Sequence, residues 1–145
     1  MLYQENGKLY RRCDRELLCI EGWGNGLRVR STTTGRIRDL NYGLHGEKKE
    51  TAARISIDGE YAEIANGEII CKILSTGKLR FFNTEGKMIL EEYDRNRFRR
   101  NNEGFSSALE LDPRMYHAIR GTDHFALTVR FEAQDEKLYG MGQYQ

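Results

Sequence analysis

Turn residues cut this chain every few positions and leave no uninterrupted run long enough for a substantial helix. Between residues 53 and 93 the interruptions are regular. Ile55 and Ile57 lead into Asp58-Gly59, Tyr61 to Ala65 into Asn66-Gly67, and Glu68 to Leu74 into Ser75-Thr76-Gly77. Lys78 to Asn83 leads into Thr84-Glu85-Gly86, and Lys87 to Tyr93 follows. Asp-Gly and Asn-Gly favour the positive φ angles of two-residue hairpin turns. Strand side chains alternate between faces, so Ile69, Cys71 and Ile73 share one face, as do Leu79 and Phe81. Upstream, the turn signal Asn6-Gly7 precedes strand candidates at Lys8–Cys13, Leu17–Glu21 and Leu27–Thr32. Downstream, Phe105–Leu111 and Arg114–Arg120 are broken at Asp112-Pro113, where proline marks an edge or a turn. Phe125, Leu127, Val129 and Phe131 alternate with Ala126, Thr128, Arg130 and Glu132, which predicts a strand with one buried and one wetter face. Residues 33–50 read as a loop, with one helical turn near Lys48 to Ala53. About ten short strands with frequent turns give an all-β antiparallel sandwich or barrel.

At 145 residues the chain is expected to be one domain, large enough to bury a core without staples. Its 23 lysines and arginines nearly balance 22 aspartates and glutamates, and a net charge of +1 gives no reason to expect nucleic acid or an anionic membrane as partner. No run approaches the ~20 apolar residues of a membrane span. The first residues lack a charged-then-apolar signal pattern, and no Asn-x-Ser/Thr site occurs, so a cytoplasmic protein is expected. Cys13, Cys19 and Cys71 lie at no metal spacing and read as reduced thiols, Cys71 as a small core residue.

The candidate sites are few. Arg95, Arg97, Arg99 and Arg100 around Phe98 have the makings of a phosphate grip with a stacking ring. The balanced overall charge favours the other reading, a solvated loop paired to Glu91, Glu92 and Asp94. Glu110 and Asp112 share a nominal strand face, whereas Glu91 and Glu92 point to opposite faces. Acids are abundant here, so both pairs read as solvated carboxylates and not as a catalytic couple. His45 falls in the loop and His117 inside a strand, where a hydrogen-bonded structural role is expected. Gly22-x-Gly24-x-Gly26 opens a strand and has the wrong spacing for a dinucleotide fingerprint. No metal constellation, P-loop or nucleophile signature occurs, so no metal and no cofactor are expected. Trp23 is either a sugar-stacking platform or a core aromatic; tryptophan is commonly well buried.

Three stretches resemble the N-terminal β-sandwich of glycoside hydrolase family 31, the α-glucosidases and α-xylosidases. The first is I-E-G-W-G-N-G-L-R-V-R, Ile20 to Arg30; the second is the meander N-G-E-I-I-C-K-I-L-S-T-G-K-L-R-F-F-N-T-E-G-K-M-I-L-E-E, Asn66 to Glu92. The third is D-E-K-L-Y-G-M-G-Q, Asp135 to Gln143, which is similar to that family's junction motif on the way to the catalytic barrel. The resemblance implies a galactose-mutarotase-like supersandwich over residues 1–145. It also implies a catalytic (β/α)8 barrel elsewhere in a longer chain, as the stop within an apolar segment also suggests. No stretch resembles the family's catalytic aspartate motifs, so no catalytic residue is expected. The implied function is a non-catalytic domain that packs on the barrel of its parent and helps shape the entrance to the site for an α-linked glucoside or xyloside. Tyr139, Gly140, Met141, Gly142 and Gln143 would lie near the sandwich–barrel boundary, as packing or as part of the sugar pocket. The apolar segment 138–144 is expected to favour self-association into a homo-oligomer. A free-standing carbohydrate-binding module is the alternative.

Overall fold

The computed structural model describes residues 1–40, 52–95 and 111–132. Among these the chain forms eleven strands and no helix: β1 (Leu2–Glu5), β2 (Lys8–Cys13), β3 (Glu16–Trp23), β4 (Gly26–Thr32), β5 (Arg54–Asp58), β6 (Tyr61–Asn66), β7 (Ile69–Ile73), β8 (Leu79–Asn83), β9 (Met88–Glu91), β10 (Arg114–Ala118) and β11 (Phe125–Val129). The expected Phe105–Leu111 strand, apart from Leu111, and the helical turn at residues 48–51 lie outside the described residues. β1 was not expected: Leu2-Tyr3-Gln4-Glu5 is too short and polar to show a periodic signal, and pairing with β2 makes it a strand.

β1 to β4 form an antiparallel four-stranded sheet in sequence order, and β5 to β9 a second, five-stranded one. β10 and β11 pair with each other and continue the second sheet. Glu92 bridges Phe131, the Tyr93 amide donates to the Arg130 carbonyl at 2.8 Å, and the Glu132 amide donates to the Glu91 carbonyl at 2.9 Å. The second layer therefore runs β5-β6-β7-β8-β9-β11-β10 against four strands in the first.

The sheets stack as a sandwich, with β3 lying against β6 and β4 against β7. Period-two alternation sends Leu9, Leu18 and Ile20 from one sheet, and Ala62, Ile64, Cys71, Ile73 and Leu79 from the other, into one buried core. Cys71 is a core residue as its spacing predicts; burial, the largest influence, raises its thiol well above the ordinary value, so it is inert.

The hairpin loops sit one residue later than the dipeptides suggest. Asp58 pairs with Tyr61 and Asn66 with Ile69, so Gly59-Glu60 and Gly67-Glu68 make the turns, each with glycine at positive φ in first position. Only Asn6-Gly7 places both members of the pair at positive φ.

One expectation fails. The face of Phe125, Leu127, Val129 and Phe131 is exposed by 37–48%, although it points the same way as the core. Its alternation is that of a half-buried strand, but no described strand of the first sheet lies over it.

Candidate functional site

The chemistry-bearing residues gather where the first sheet ends and the overhanging β10 begins. Arg11 is in phase with Leu9 on β2, and Glu16 is in phase with Leu18 and Ile20 on β3, so both charged groups point into the sandwich. Arg114 and Tyr116 approach from β10, Ser31 from β4 and Glu92 from just beyond β9.

Arg114, whose side chain is 4% exposed, uses all three guanidinium nitrogens. Nε and Nη2 donate to the two carboxylate oxygens of Glu16, Nη2 also donates to the Gly77 carbonyl at 2.8 Å, and Nη1 donates to Glu92, at 2.7 Å to Oε1. Glu92 also accepts the Leu79 amide at 2.9 Å, while its own amide donates to the Leu79 carbonyl. Glu16 accepts the Ser31 hydroxyl at 2.8 Å and pairs with Arg11 Nη1 at 3.6 Å. Ser31 also hydrogen-bonds Tyr116. One arginine thus binds two carboxylates and a turn carbonyl, tying three segments of the fold together.

Burial pushes the Glu16 carboxyl upward, but the Arg114 hydrogen bonds and charge, with Ser31 and Arg11, outweigh it and hold Glu16 below 4.5. Glu92 is deeper. Burial leaves it above the ordinary carboxylate value despite the Arg114 charge and the Leu79 amide. Burial would lower Arg114, but the two glutamates raise it further, so it stays cationic.

Gly77 closes the site. Its φ of +86° is left-handed, and an added Cβ would lie 2.5 Å from the Arg11 guanidinium. Arg11 reaches past it to the Ser75 carbonyl at 3.4 Å. Outside this knot opens a cleft of about 740 Å³, bounded by Asp14, Arg15, Thr76, Pro113, Tyr116 and Phe125 among others. Its volume falls within the roughly 300–1,000 Å³ range of ligand pockets. Of its acids, half-buried Glu16 is already bound by Arg114 and Arg11, while Asp14 and Asp112 are exposed.

A second polar cluster lies on the outer face of the first sheet. Glu21, 1% exposed, meets Lys8 at 3.2 Å, Arg28 at 3.6 Å and Arg30. Arg28 and Arg30 reach the carbonyls of Leu40 and Arg38, which holds residues 36–40 across the sheet. Trp23 stands half-buried on this face with the Arg28 guanidinium 4.8 Å from its ring centroid. At that end Asn66 Nδ2 donates to the carbonyl of Gly24 at 3.0 Å and to that of Gly26, latching the β6–β7 turn to the β3–β4 turn.

Of the residues singled out in the sequence, Glu91 and Glu92 do diverge. Glu91 binds Lys78 at 2.9 Å and Arg80 at 2.6 Å, whereas Glu92 turns inward to Arg114. Asp94 pairs with Lys78 at 3.0 Å, and Arg95 lies over the Tyr93 ring. Asp112 is exposed, and His117 is exposed on β10, not in a core. His45, Arg97, Phe98, Arg99, Arg100, Glu110 and Tyr139 to Gln143 lie outside the described residues. No group of three or more possible metal ligands occurs among the described residues. No described helix is long and apolar enough to cross a membrane. The sequence reading missed Arg11, Glu16, Gly77 and Arg114. The signal for Arg11 and Glu16 is a charge standing in phase with core leucines.

No family model matches the chain. It is 38% identical over 143 residues to an uncharacterized family 31 glucosidase of Pseudescherichia vulneris, which accounts for 92% of this chain and 27% of that protein. A crystal structure of a family 31 α-xylosidase from a soil metagenome, complexed with xylose, is similar over all of this chain, with a TM-score of 0.85 and 36% identity. This chain covers 22% of that one. The chain matches the N-terminal part of family 31 glycosidases and spans about a quarter of their length, at 27% and 22%.

Proposed function

We infer that this chain, matching as it does the N-terminal part of family 31 glycosidases, is a non-catalytic β-sandwich domain of such an enzyme. In this reading residues 1–145 form a domain of the galactose-mutarotase-like kind that packs on a catalytic barrel in the same polypeptide and shapes the entrance to its sugar site. The parent cleaves α-linked glucosides or xylosides with retention, in the cytoplasm; the free thiols Cys13, Cys19 and Cys71 suit a reducing compartment. Tyr139, Gly140, Met141, Gly142 and Gln143 belong to the domain boundary in the same reading.

One observation carries the non-catalytic assignment. Retaining glycosidases need two carboxylates about 5–5.5 Å apart, one free to attack and one free to donate a proton. Here the two carboxylates that converge, half-buried Glu16 and buried Glu92, are bound to one guanidinium. Attack on a sugar would require giving up that salt bridge in a buried site.

The test has two parts. The natural polypeptide, captured from its source cell, should have a mass several times 16.9 kDa. It should also hydrolyse aryl α-glucosides or α-xylosides, while the 145-residue chain alone should not. Hydrolysis by the short chain would overturn the reading. So would a natural mass of 16.9 kDa, which would bring forward a free-standing sugar-binding module.

A further inference from the structure

The sequence holds three Asn-Gly pairs, Asn6-Gly7, Asn25-Gly26 and Asn66-Gly67. Each places a nucleophile beside its electrophile. Glycine has no side chain to shield its backbone nitrogen, so that nitrogen can attack the side-chain carbonyl carbon of the asparagine before it. A C–N bond forms and closes a succinimide ring. The bond to Nδ2 breaks, and ammonia leaves with the proton that the glycine amide gives up. Water then opens the ring at either carbonyl, which leaves aspartate or isoaspartate. Only water is consumed. The reaction needs an asparagine side chain free to swing onto the next nitrogen.

The fold treats the three pairs differently. Asn6 and Gly7 are both exposed and make the turn between Glu5 and Lys8, with nothing within 4 Å of where a Gly7 Cβ would sit. Asn25 is exposed as well, but Gly26 is paired with Trp23 at the end of a ladder. Asn66 is the opposite case. It is 8% exposed, and Nδ2, the nitrogen that would have to leave, donates to the carbonyls of Gly24 and Gly26. Gly67, the residue that would attack, is wedged against the same turn: an added Cβ would lie 2.8 Å from the Asn25 carbonyl oxygen. Both reacting partners are thus held by one hairpin, 40 and 42 residues away in sequence.

The products do not fit this place. A carboxylate only accepts hydrogen bonds, and here it would face two carbonyls that also only accept. Isoaspartate in addition inserts a methylene into the main chain where Asn66 pairs with Ile69.

We propose that Asn66-Gly67 is a latent deamidation site, kept silent by the folded sandwich, whose reaction after the latch opens prevents it from closing again. Asn6-Gly7, by contrast, deamidates in the folded chain. Opening at this end of the sandwich is then reversible only while Asn66 keeps its amide, and a covalent change converts a local fluctuation into a permanent loss.

The test uses the natural polypeptide, incubated at mildly alkaline pH with and without unfolding urea. Peptide mass spectrometry then follows the amide-to-acid change at each pair. Without urea, position 66 should lag position 6 by about tenfold or more, the factor that two hydrogen bonds from a buried amide support. In urea the two should react at similar rates. Equal rates in the folded protein overturn the proposal. A lag that survives in urea also overturns it, because protection would then belong to the local sequence and not to the latch. These readouts need no substitution. For the second half of the proposal Asn66→Asp stands in for one product. Amides of the turn between β6 and β7 should exchange hydrogen faster in that variant by a similar factor, and exchange at the native rate would show that the latch closes over the product.

Discussion

Arg114 is the side chain on which most of the buried charge depends. Replacing it with alanine would leave buried Glu92 without its cation and half-buried Glu16 with Arg11 alone, and losing one partner of a buried pair costs about 3–5 kcal/mol. Arg114→Ala should therefore show a large drop in urea midpoint. Arg114→Lys should recover only part of it, because an ammonium cannot serve both carboxylates and the Gly77 carbonyl in one plane. Equal stability of Arg114→Ala and the native protein would show that the knot is incidental. The two glutamates respond oppositely to pH. Glu16 and Glu91 titrate below 4.5 in the fold, so their contribution is complete above that pH and is lost as pH falls through their folded values. Glu92 titrates above 4.5, so the stability linked to it is present at lower pH and is lost as pH rises. Glu16→Gln should weaken the protein at pH 7 and flatten its acid limb of stability, whereas Glu92→Gln should cost less at pH 7. Unfolding midpoints between pH 3 and 7 decide this; a steeper acid limb in Glu16→Gln would contradict it. The site was partly legible in the sequence. Glu16 reads as the end of a charged turn, Asp14-Arg15-Glu16, until its phase with Leu18 and Ile20 is noticed. Arg114 was not legible, because its partners lie 98 and 22 residues away and no local pattern joins them.

At the scale of elements the hairpins were the most legible, because turn chemistry and alternation are local. β2 was placed at its observed bounds, and β3, β4 and β5 to β9 to within one or two residues at most of their ends. β1 was missed because its order comes from β2 and not from its own sequence. The apolar face of β11 was misjudged for a related reason: alternation tells which residues are meant to be covered, but not where the cover comes from. The latch at the far end is another nonlocal feature. Asn66 was read as half of a turn dipeptide, yet it is 8% exposed and its amide holds two carbonyls of the opposite hairpin. Asn66→Ala should cost about 1–3 kcal/mol, the usual penalty for leaving buried acceptors unpaired. Asn66→Asp should fare no better, since a carboxylate has no donor for those carbonyls. If both variants unfold at the native midpoint, the turns are held by packing alone.

For the whole molecule the unequal layers matter more than any single contact. A four-stranded sheet cannot cover seven strands, and apolar surface left at the overhang is driven to find other apolar surface. The 145-residue chain by itself should then associate as its concentration rises. The sequence suggested segment 138–144 as the cause; the described structure gives the inner face of β11 an independent claim. The two claims can be separated. Phe125 and Leu127 are 48% and 41% exposed, so Phe125→Ser with Leu127→Ser removes apolar surface while deleting little of the native core. Sedimentation velocity should show the doubly substituted chain shifted towards monomer, with an unfolding midpoint close to the original. Association that persists unchanged would move responsibility away from β11.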